Sequence, residues 1–340
     1  MEATSTFNLQ DQDDWRSALD AQRPVLVHLN ADTTWLIQLP YPPSAAKPPG
    51  RTHFNILLDP WLQGPQADVA SWFSKQWHVV PPSVKTLAEL SSLLGSLEGA
   101  TAETNASLID AVAISHEFTD HCHEATLREL PASTPVFATE KAADLIRGWR
   151  HFTKVTTTPG FSGATDDWKP LLSLEGLPEW VGIGRVITPG NALYYHSAVM
   201  VVFDLGSSSK SETILYSPHG IQASDLSCVG ASGIKTLALL HGLHDVGIWM
   251  TKQLNLGALN GIQAVAESGA KYWIATHDEV KKGGGMIAPF IRRTKHTLKD
   301  AVDAETSKMG GKVPKYDFVG LGSGDGVVLR ADDGAETSSK

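Results

Sequence analysis

One short stretch of this 340-residue chain brings together three imidazoles and two carboxylates. The segment SHEFTDHCH, residues 115–123, contains His116, Glu117, Asp120, His121 and His123. Neutral imidazole and carboxylate groups are the ligands that Zn²⁺ prefers, and they also bind iron or manganese in harder sites. The residue types therefore favour a metal site, although a polar loop with incidental histidines explains them about as well.

The flanking sequence predicts how this segment is held. Residues 109–114, IDAVAI, are an apolar run short enough to be a buried strand. A helical pattern follows, with Ala125, Leu127 and Leu130 on one side. The polar residues thus lie in a loop between a strand and a helix, where open α/β sheets place their binding sites.

The motif SHEFTDH resembles the H-x-H-x-D-H signature of the metallo-β-lactamase superfamily, with His116, Asp120 and His121 in register. Phe118 stands where that signature has its second histidine. Similar loops occur in the branch that includes bacterial sugar-phosphate lactonases and N-acyl-phosphatidylethanolamine phospholipases. The resemblance covers roughly residues 25–330 and implies a four-layer αβ/βα sandwich. Composition and periodicity alone predict only an α/β fold in one large domain.

Three later histidines match places where the resembled family has metal ligands. His196 corresponds to a histidine that completes the first metal site, and His277 to the last metal histidine. His219 stands where the family usually has an aspartate that bridges two metals. From the residues alone, His196 in its apolar run reads as a buried core histidine, and only the resemblance makes the ligand reading equal to it. His219 reads from the residues alone as a turn residue after Pro218.

The two departures from the family pattern both affect the first metal site and the bridge. Phe118 offers no ligand atom, and a histidine such as His219 is a poor bridge because one nitrogen lone pair faces one metal. The second set that the resemblance implies, Asp120, His121 and His277, is intact.

The simplest hypothesis is therefore one metal ion rather than two, held by that second set with His219 available as a fourth ligand. Zinc is expected, with iron or manganese as alternatives. His116 and His196 are expected to line the pocket beside the ion and complete the set of candidate ligands. Asp59, which precedes Pro60, corresponds to a family residue that braces the loops beneath the metals. From the residue alone, an aspartate that initiates a turn before proline is the favoured reading.

A metal with an open position lowers the pKa of a bound water towards about 7 and polarises a carbonyl or phosphoryl oxygen. Hydrolysis of an ester, lactone, thioester or amide is the expected reaction. His116 would take or give the proton, or Asp120 if it is not firmly ligated. Several aromatic residues favour an apolar pocket for a small organic ester or lactone: Trp61, Trp72, Trp77, Phe118 and Tyr194.

Two other functions fit the same residues. Loss of a ligand and of the bridge is what a decayed site would show, so the chain could be a non-catalytic binding protein of the same fold. Two histidines and a carboxylate also form the ligand triad of mononuclear iron enzymes, which predicts redox or oxygen chemistry.

Composition limits the partners and the compartment. The formal charge is -9 and no basic stripe is present, so nucleic acid is not an expected partner. Two cysteines cannot build a disulfide framework, which favours a reducing, cytoplasmic location. No run of about 18 apolar residues or signal-peptide core occurs.

No linker divides the chain, so residues 1–340 are expected to form one domain around a core of about 25–330. The glycine-rich KKGGGM stretch, 281–286, is expected to be a flexible loop.

Overall fold

The computed structural model describes residues 5–68, 70–98, 107–163, 165–187, 194–206, 210–248, 252–308 and 313–331. In chain order the strands are β1 (Thr6–Asn8), β2 (Val25–His28), β3 (Trp35–Pro40), β4 (His53–Leu58), β5 (Lys75–Trp77), β6 (Ala111–Ile114), β7 (Val136–Ala138), β8 (Val155–Thr157), β9 (Val181–Val186), β10 (Ala198–Phe203), β11 (Glu212–Ser217), β12 (Lys235–His241), β13 (Asp245–Ile248), β14 (Lys252–Asn255), β15 (Tyr272–Ile274), β16 (Lys282–Gly284), β17 (Ile291–Thr294), β18 (Asp317–Val319) and β19 (Asp325–Val328).

The helices are α1 (Gln12–Asp20), α2 (Leu87–Glu98), α3 (Glu124–Leu127), α4 (Glu140–Gly148), α5 (Lys169–Leu172), α6 (Ser227–Ser232), α7 (Ala258–Ser268) and α8 (Leu298–Lys308). Short 3₁₀ helices span Ala223–Leu226 and Ala288–Phe290. Among the described residues, no helix has the length and apolar character needed to cross a membrane.

Two large sheets form the centre of the molecule. The first has the strand order β1-β19-β2-β3-β4-β6-β7-β8, and the second β18-β15-β12-β11-β10-β9. Strands β4, β6, β7 and β8 run parallel, as do β11, β12, β15 and β18. The carboxyl ends of neighbouring parallel strands lie at one edge of a sheet, so the loops that follow them can form a common site.

Apolar side chains on both faces of the strands produce three cores in series. One core lies between the two sheets, with Trp35, Ile56 and Ala113 from the first sheet and Val201 and Ile214 from the second. A second core joins the outer face of the first sheet to α1, α2 and α4. The third joins the outer face of the second sheet to α5, α6, α7 and α8. Burial on both faces explains the nearly continuous apolar strands, and the predicted four-layer sandwich is confirmed.

The sequence did not predict two small sheets beside the sandwich. One has the order β14-β13-β17, and the other pairs β16 with β5. Strand β16 begins within the stretch 281–286, which was expected to be a flexible loop. In this strand Lys282 lies opposite Trp77, and Gly284 opposite Lys75. Pairing with β5 therefore orders β16. Pairing with a distant segment cannot be read from a glycine-rich stretch by itself.

A buried ion-pair network ties the start of β4 to the start of β6. Arg51 donates to both carboxylate oxygens of Asp110, at 3.0 and 2.6 Å, and to the carbonyl oxygen of His53. Its Nε lies 2.7 Å from Oε2 of Glu98, close enough for an ion pair although not aligned as a hydrogen bond. The Arg51 side chain is only 9% exposed, so both carboxylates depend on it for their counter-charge.

We expect the substitution Arg51→Met to lower the free energy of unfolding by about 3–5 kcal/mol, because it leaves Asp110 and Glu98 buried without their cation. Urea unfolding measures this loss. Arg16→Met is the matched control, since Arg16 pairs with Asp13 at the surface and should change stability by less than about 1 kcal/mol. Equal effects of the two substitutions would contradict the assigned role of the network.

Candidate functional site

The candidate site lies where strand ends from both sheets meet. His116 follows β6, His219 follows β11, and His277 follows β15. Between β6 and α3, the backbone N–H groups of His121 and Cys122 donate to the carbonyl oxygen of Phe118, at 2.9 and 2.8 Å. This turn interrupts the extended backbone, so the consecutive residues Asp120 and His121 no longer point to opposite sides.

Five of the six predicted metal ligands lie together and are buried. His116, His121 and His219 form one group, and Asp120, His121 and His277 form another. Within each group the ligand atoms lie within 4.8 Å of one another. His121 belongs to both groups, so the two candidate positions for an ion are adjacent.

Each of three imidazoles is oriented by a partner on its outer nitrogen. Nδ1 of His121 lies 2.7 Å from Oδ2 of Asp59, and Nδ1 of His277 lies 2.9 Å from Oδ1 of Asp32. Nδ1 of His219 lies 3.0 Å from the carbonyl oxygen of Leu254. Because these partners only accept, we assign the ring proton to Nδ1, which leaves the Nε2 lone pair facing inward. Metal-binding histidines are commonly oriented in this way.

The inward nitrogens of His121 and His219 are only 3.1 Å apart. Two facing lone pairs repel unless a proton or a cation lies between them. Nitrogens bound at about 2 Å to a tetrahedral ion are about 3.3 Å apart, which is close to the observed separation. The distance therefore fits two imidazoles that share one metal ion.

His116 completes this group. Its ring centroid lies 3.9 Å from that of His121 and 4.3 Å from that of His219. The ring is buried, yet neither of its nitrogens has a hydrogen-bond partner among the residues that the structure describes. A buried polar atom without a partner is costly, and ligation of a metal would satisfy it. Burial, together with nearby His121, places the pKa of His116 well below its ordinary value and keeps the lone pair free.

A lysine that the sequence did not reveal lies against the second group. Nζ of Lys281 lies 2.6 Å from Oδ2 of Asp120 and 2.7 Å from Oδ2 of Asp32. Burial by itself would raise the pKa of Asp120, but Lys281, His121 and His277 together hold it well below the ordinary value. Asp32 and Asp120 are thus ionised and neutralised in part by one buried ammonium group.

Phe118 and His196 contact the group of three histidines without completing it. The Phe118 ring lies 5.0 Å from that of His116 and 5.6 Å from that of His219, so it covers the imidazoles. Nδ1 of His196 lies 2.9 and 3.1 Å from the carbonyl oxygens of His219 and Gly220. His196 belongs to neither ligand group in the described part of the chain, and its contacts instead support the backbone at His219.

Asp32 and Lys281 gave only weak signals in the sequence. Asp32 lies in the hairpin between β2 and β3, where an aspartate normally indicates a turn. Lys281 precedes a run of glycines whose pairing with β5 was not foreseen. The resemblance implied a bracing role for Asp59, whereas the residue alone favoured a turn before Pro60. Its carboxylate accepts from the Ser115 backbone N–H, at 2.8 Å, as well as from His121.

Comparisons with known proteins give structural likeness only. No family model matches the chain, and a search of curated protein sequences gives no significant match. An isothiocyanate hydrolase from Delia radicum gut bacteria has a TM-score of 0.54 and 15% identity, covering 90% of this chain and 100% of that one. A possible metal-dependent hydrolase from Veillonella parvula has a TM-score of 0.51 and 14% identity, with 90% and 100% covered. CmlA, a diiron beta-hydroxylase from Streptomyces venezuelae, has a TM-score of 0.54 and 11% identity, and the match covers 91% of this chain and 54% of that one. These likenesses agree with the predicted fold.

Replacing the carboxylate behind His121 tests whether it orients a ligand. We expect Asp59→Asn to weaken metal binding by about 10–100-fold, because the amide cannot accept from both Ser115 and His121 as the carboxylate does. Titration calorimetry with Zn²⁺ measures the affinity. Asp245→Asn is the control, since it alters another carboxylate–histidine pair, Asp245 with His296 at 2.9 Å. An unchanged affinity in folded Asp59→Asn would contradict the orienting role.

His241 provides a pH test outside both ligand groups. Its Nδ1 lies 2.8 Å from the Gly242 carbonyl oxygen, and its Nε2 lies 3.1 Å from Nδ2 of Asn260, so the neutral ring is fully paired. Burial lowers its pKa from 6.5 to about 4. The unfolded chain therefore binds the extra proton first, and stability is lost as the pH falls from about 6.5 to about 4. We expect His241→Gln to remove up to about 1.4 kcal/mol per pH unit of this dependence in urea unfolding of metal-free protein. Parallel pH profiles for wild type and variant would refute it.

Proposed function

We propose that this chain, which has the metallo-β-lactamase fold, is a metal-dependent hydrolase of a small organic ester, lactone or related acyl compound. The observation that carries the proposal is the arrangement of His116, His121 and His219. Nε2 of His121 and Nε2 of His219 face each other across 3.1 Å, and the His116 ring is buried without a partner among the described residues. A divalent ion explains all three at once.

The geometry favours the group of three histidines as the position of that ion. From the sequence alone, the favoured set was Asp120, His121 and His277, with His219 as a fourth ligand. In that set, Oδ2 of Asp120 is already bound by an ammonium group, whereas among the described residues no ammonium group lies against the nitrogens of the histidine group. Zinc is the ion expected for three neutral imidazoles with an open fourth position.

A bound divalent ion would lower the pKa of a water and polarise the acyl oxygen. The chain's own residues must position the substrate and accept the proton. If His116 binds the ion, its lone pair is not available for proton transfer. Of the two residues expected to carry the proton, Asp120 then remains. Lys281 holds its Oδ2, but its Oδ1 lies 3.6 Å from Nε2 of His121, beside the proposed ion.

The substrate class is inferred from the surroundings of the imidazoles. Phe118 covers His116 and His219 and lies 5.9 Å, between ring centroids, from Tyr195. An aromatic wall of this kind favours an uncharged, partly apolar acyl compound. Two proteins with a similar fold, described as an isothiocyanate hydrolase and a possible metal-dependent hydrolase, support hydrolysis as the reaction.

An iron-dependent oxidation is the second candidate function. The likeness to CmlA, described as a diiron beta-hydroxylase, supports it, because that protein covers most of this chain at a TM-score of 0.54. Histidine and carboxylate groups bind iron as well as zinc. Iron in the purified protein, with oxygen uptake and no hydrolysis of esters or lactones, would favour this alternative.

We expect the purified protein to contain about one equivalent of divalent metal and to hydrolyse aryl esters or lactones. His116→Ala should reduce kcat/KM by at least about 100-fold, since the metal supplies several kcal/mol of transition-state stabilisation. Elemental analysis and a chromogenic ester assay measure the two effects. His151→Ala, which alters a histidine that contacts the Leu130 carbonyl, is the control and should retain both. Full hydrolysis by protein stripped of metal would contradict the proposal.

A further inference from the structure

Lys281 is held in place rather than resting against the site by chance. Its side chain is 5% exposed, and its ammonium group lies 5.1 Å from the centroid of the Trp61 ring. Two residues earlier, Glu279 accepts from the backbone N–H groups of Val79 and Val80, at 2.6 and 2.8 Å. The next residue begins β16, which pairs with β5. Contacts on both sides therefore fix the backbone from which Lys281 extends.

The ammonium group occupies the oxygen that a second metal ion would need. Oδ2 of Asp120 lies 3.9 Å from Nε2 of His277, and these two atoms face each other across one candidate metal position. The same oxygen is 2.6 Å from Nζ of Lys281. A divalent ion bound at about 2 Å to this oxygen would lie within a few ångströms of a positive charge and be strongly repelled.

The charges around the lysine match those around a cation site. Lys281 contacts one oxygen of Asp32 at 2.7 Å, while the other oxygen of Asp32 lies 2.9 Å from Nδ1 of His277. Two buried carboxylates thus converge on one ammonium group. Buried carboxylates need a counter-charge, whether an ammonium group or a metal ion supplies it.

We propose that Lys281 acts as a built-in cation in place of a second metal ion, so that the site holds a single ion in the group of His116, His121 and His219. This inference rests on the proposed metal centre and specifies its stoichiometry. Asp120 and His277 then contribute a carboxylate and an imidazole beside the ion instead of binding an ion of their own.

The substitution Lys281→Met tests this inference through metal content, independently of any activity. We expect wild-type protein saturated with Zn²⁺ and freed of excess metal to retain about one equivalent, and Lys281→Met to retain about two. Lys281→Arg keeps the positive charge and should retain one. The control is Lys282→Met, which alters the neighbouring exposed lysine and should also retain one.

A measurement on the wild-type protein covers the case in which Lys281→Met does not fold. Anomalous diffraction from zinc-loaded crystals should place one ion against His116, His121 and His219, with no peak between Asp120 and His277. A peak between Asp120 and His277, or two equivalents in the wild type, would overturn the role of Lys281. So would a folded Lys281→Met protein that retains only one equivalent. Absence of metal from both proteins would instead contradict the proposed function itself.

Discussion

The contact between Asp59 and His121 is the interaction on which the rest of the site depends. Asp59 follows β4 with a φ of 40°, a left-handed conformation that turns the chain abruptly before Pro60. Its carboxylate accepts from the Ser115 backbone after β6 and from Nδ1 of His121. One fully buried side chain therefore joins the ends of two parallel strands and sets the direction of the imidazole that both ligand groups share.

Burying this carboxylate together with Asp32 and Asp120 has an electrostatic consequence. Removing three acidic groups from water is favourable only if positive charge comes with them. Lys281 supplies one charge to Asp32 and Asp120. Burial by itself would lower the pKa of His121, but Asp120 and Asp59 raise it above the ordinary value. Without a metal, a proton on Nε2 of His121 can bridge to His219, so a metal ion and a proton compete for the same position.

The fold and part of the site could be predicted because their signals are local. The apolar run before His116 and the polar motif after it lie within fifteen residues, so periodicity and residue type place a buried strand and a site at its end. The family resemblance supplied what local patterns lack, namely the four-layer packing and the meeting of distant loops.

The remainder of the site depends on contacts between segments far apart in the sequence. Asp32 and Lys281 are separated by 249 positions, and neither carries a local pattern that indicates chemistry. Lys281 is ordered by the pairing of β16 with β5, which depends on tertiary context rather than on the propensity of a glycine-rich stretch. For His196, by contrast, the sequence did suggest a role. Its position matched that of a family ligand, but its Nδ1 contacts the backbone carbonyl oxygens of His219 and Gly220.

The two departures from the family motif have to be considered together. Relative to the motif that this segment resembles, Phe118 lacks a ligand nitrogen and His219 stands where a bridging carboxylate is usual. Each departure taken separately would weaken a two-metal site. In the folded chain, Nε2 of His219 approaches His116 and His121 while the Phe118 ring packs against the same imidazoles. His219 thus supplies a third imidazole to this group, and the Lys281 ammonium group lies against Asp120 in the neighbouring group. A three-imidazole site that binds one ion is consistent with both changes, which need no loss of function to explain them.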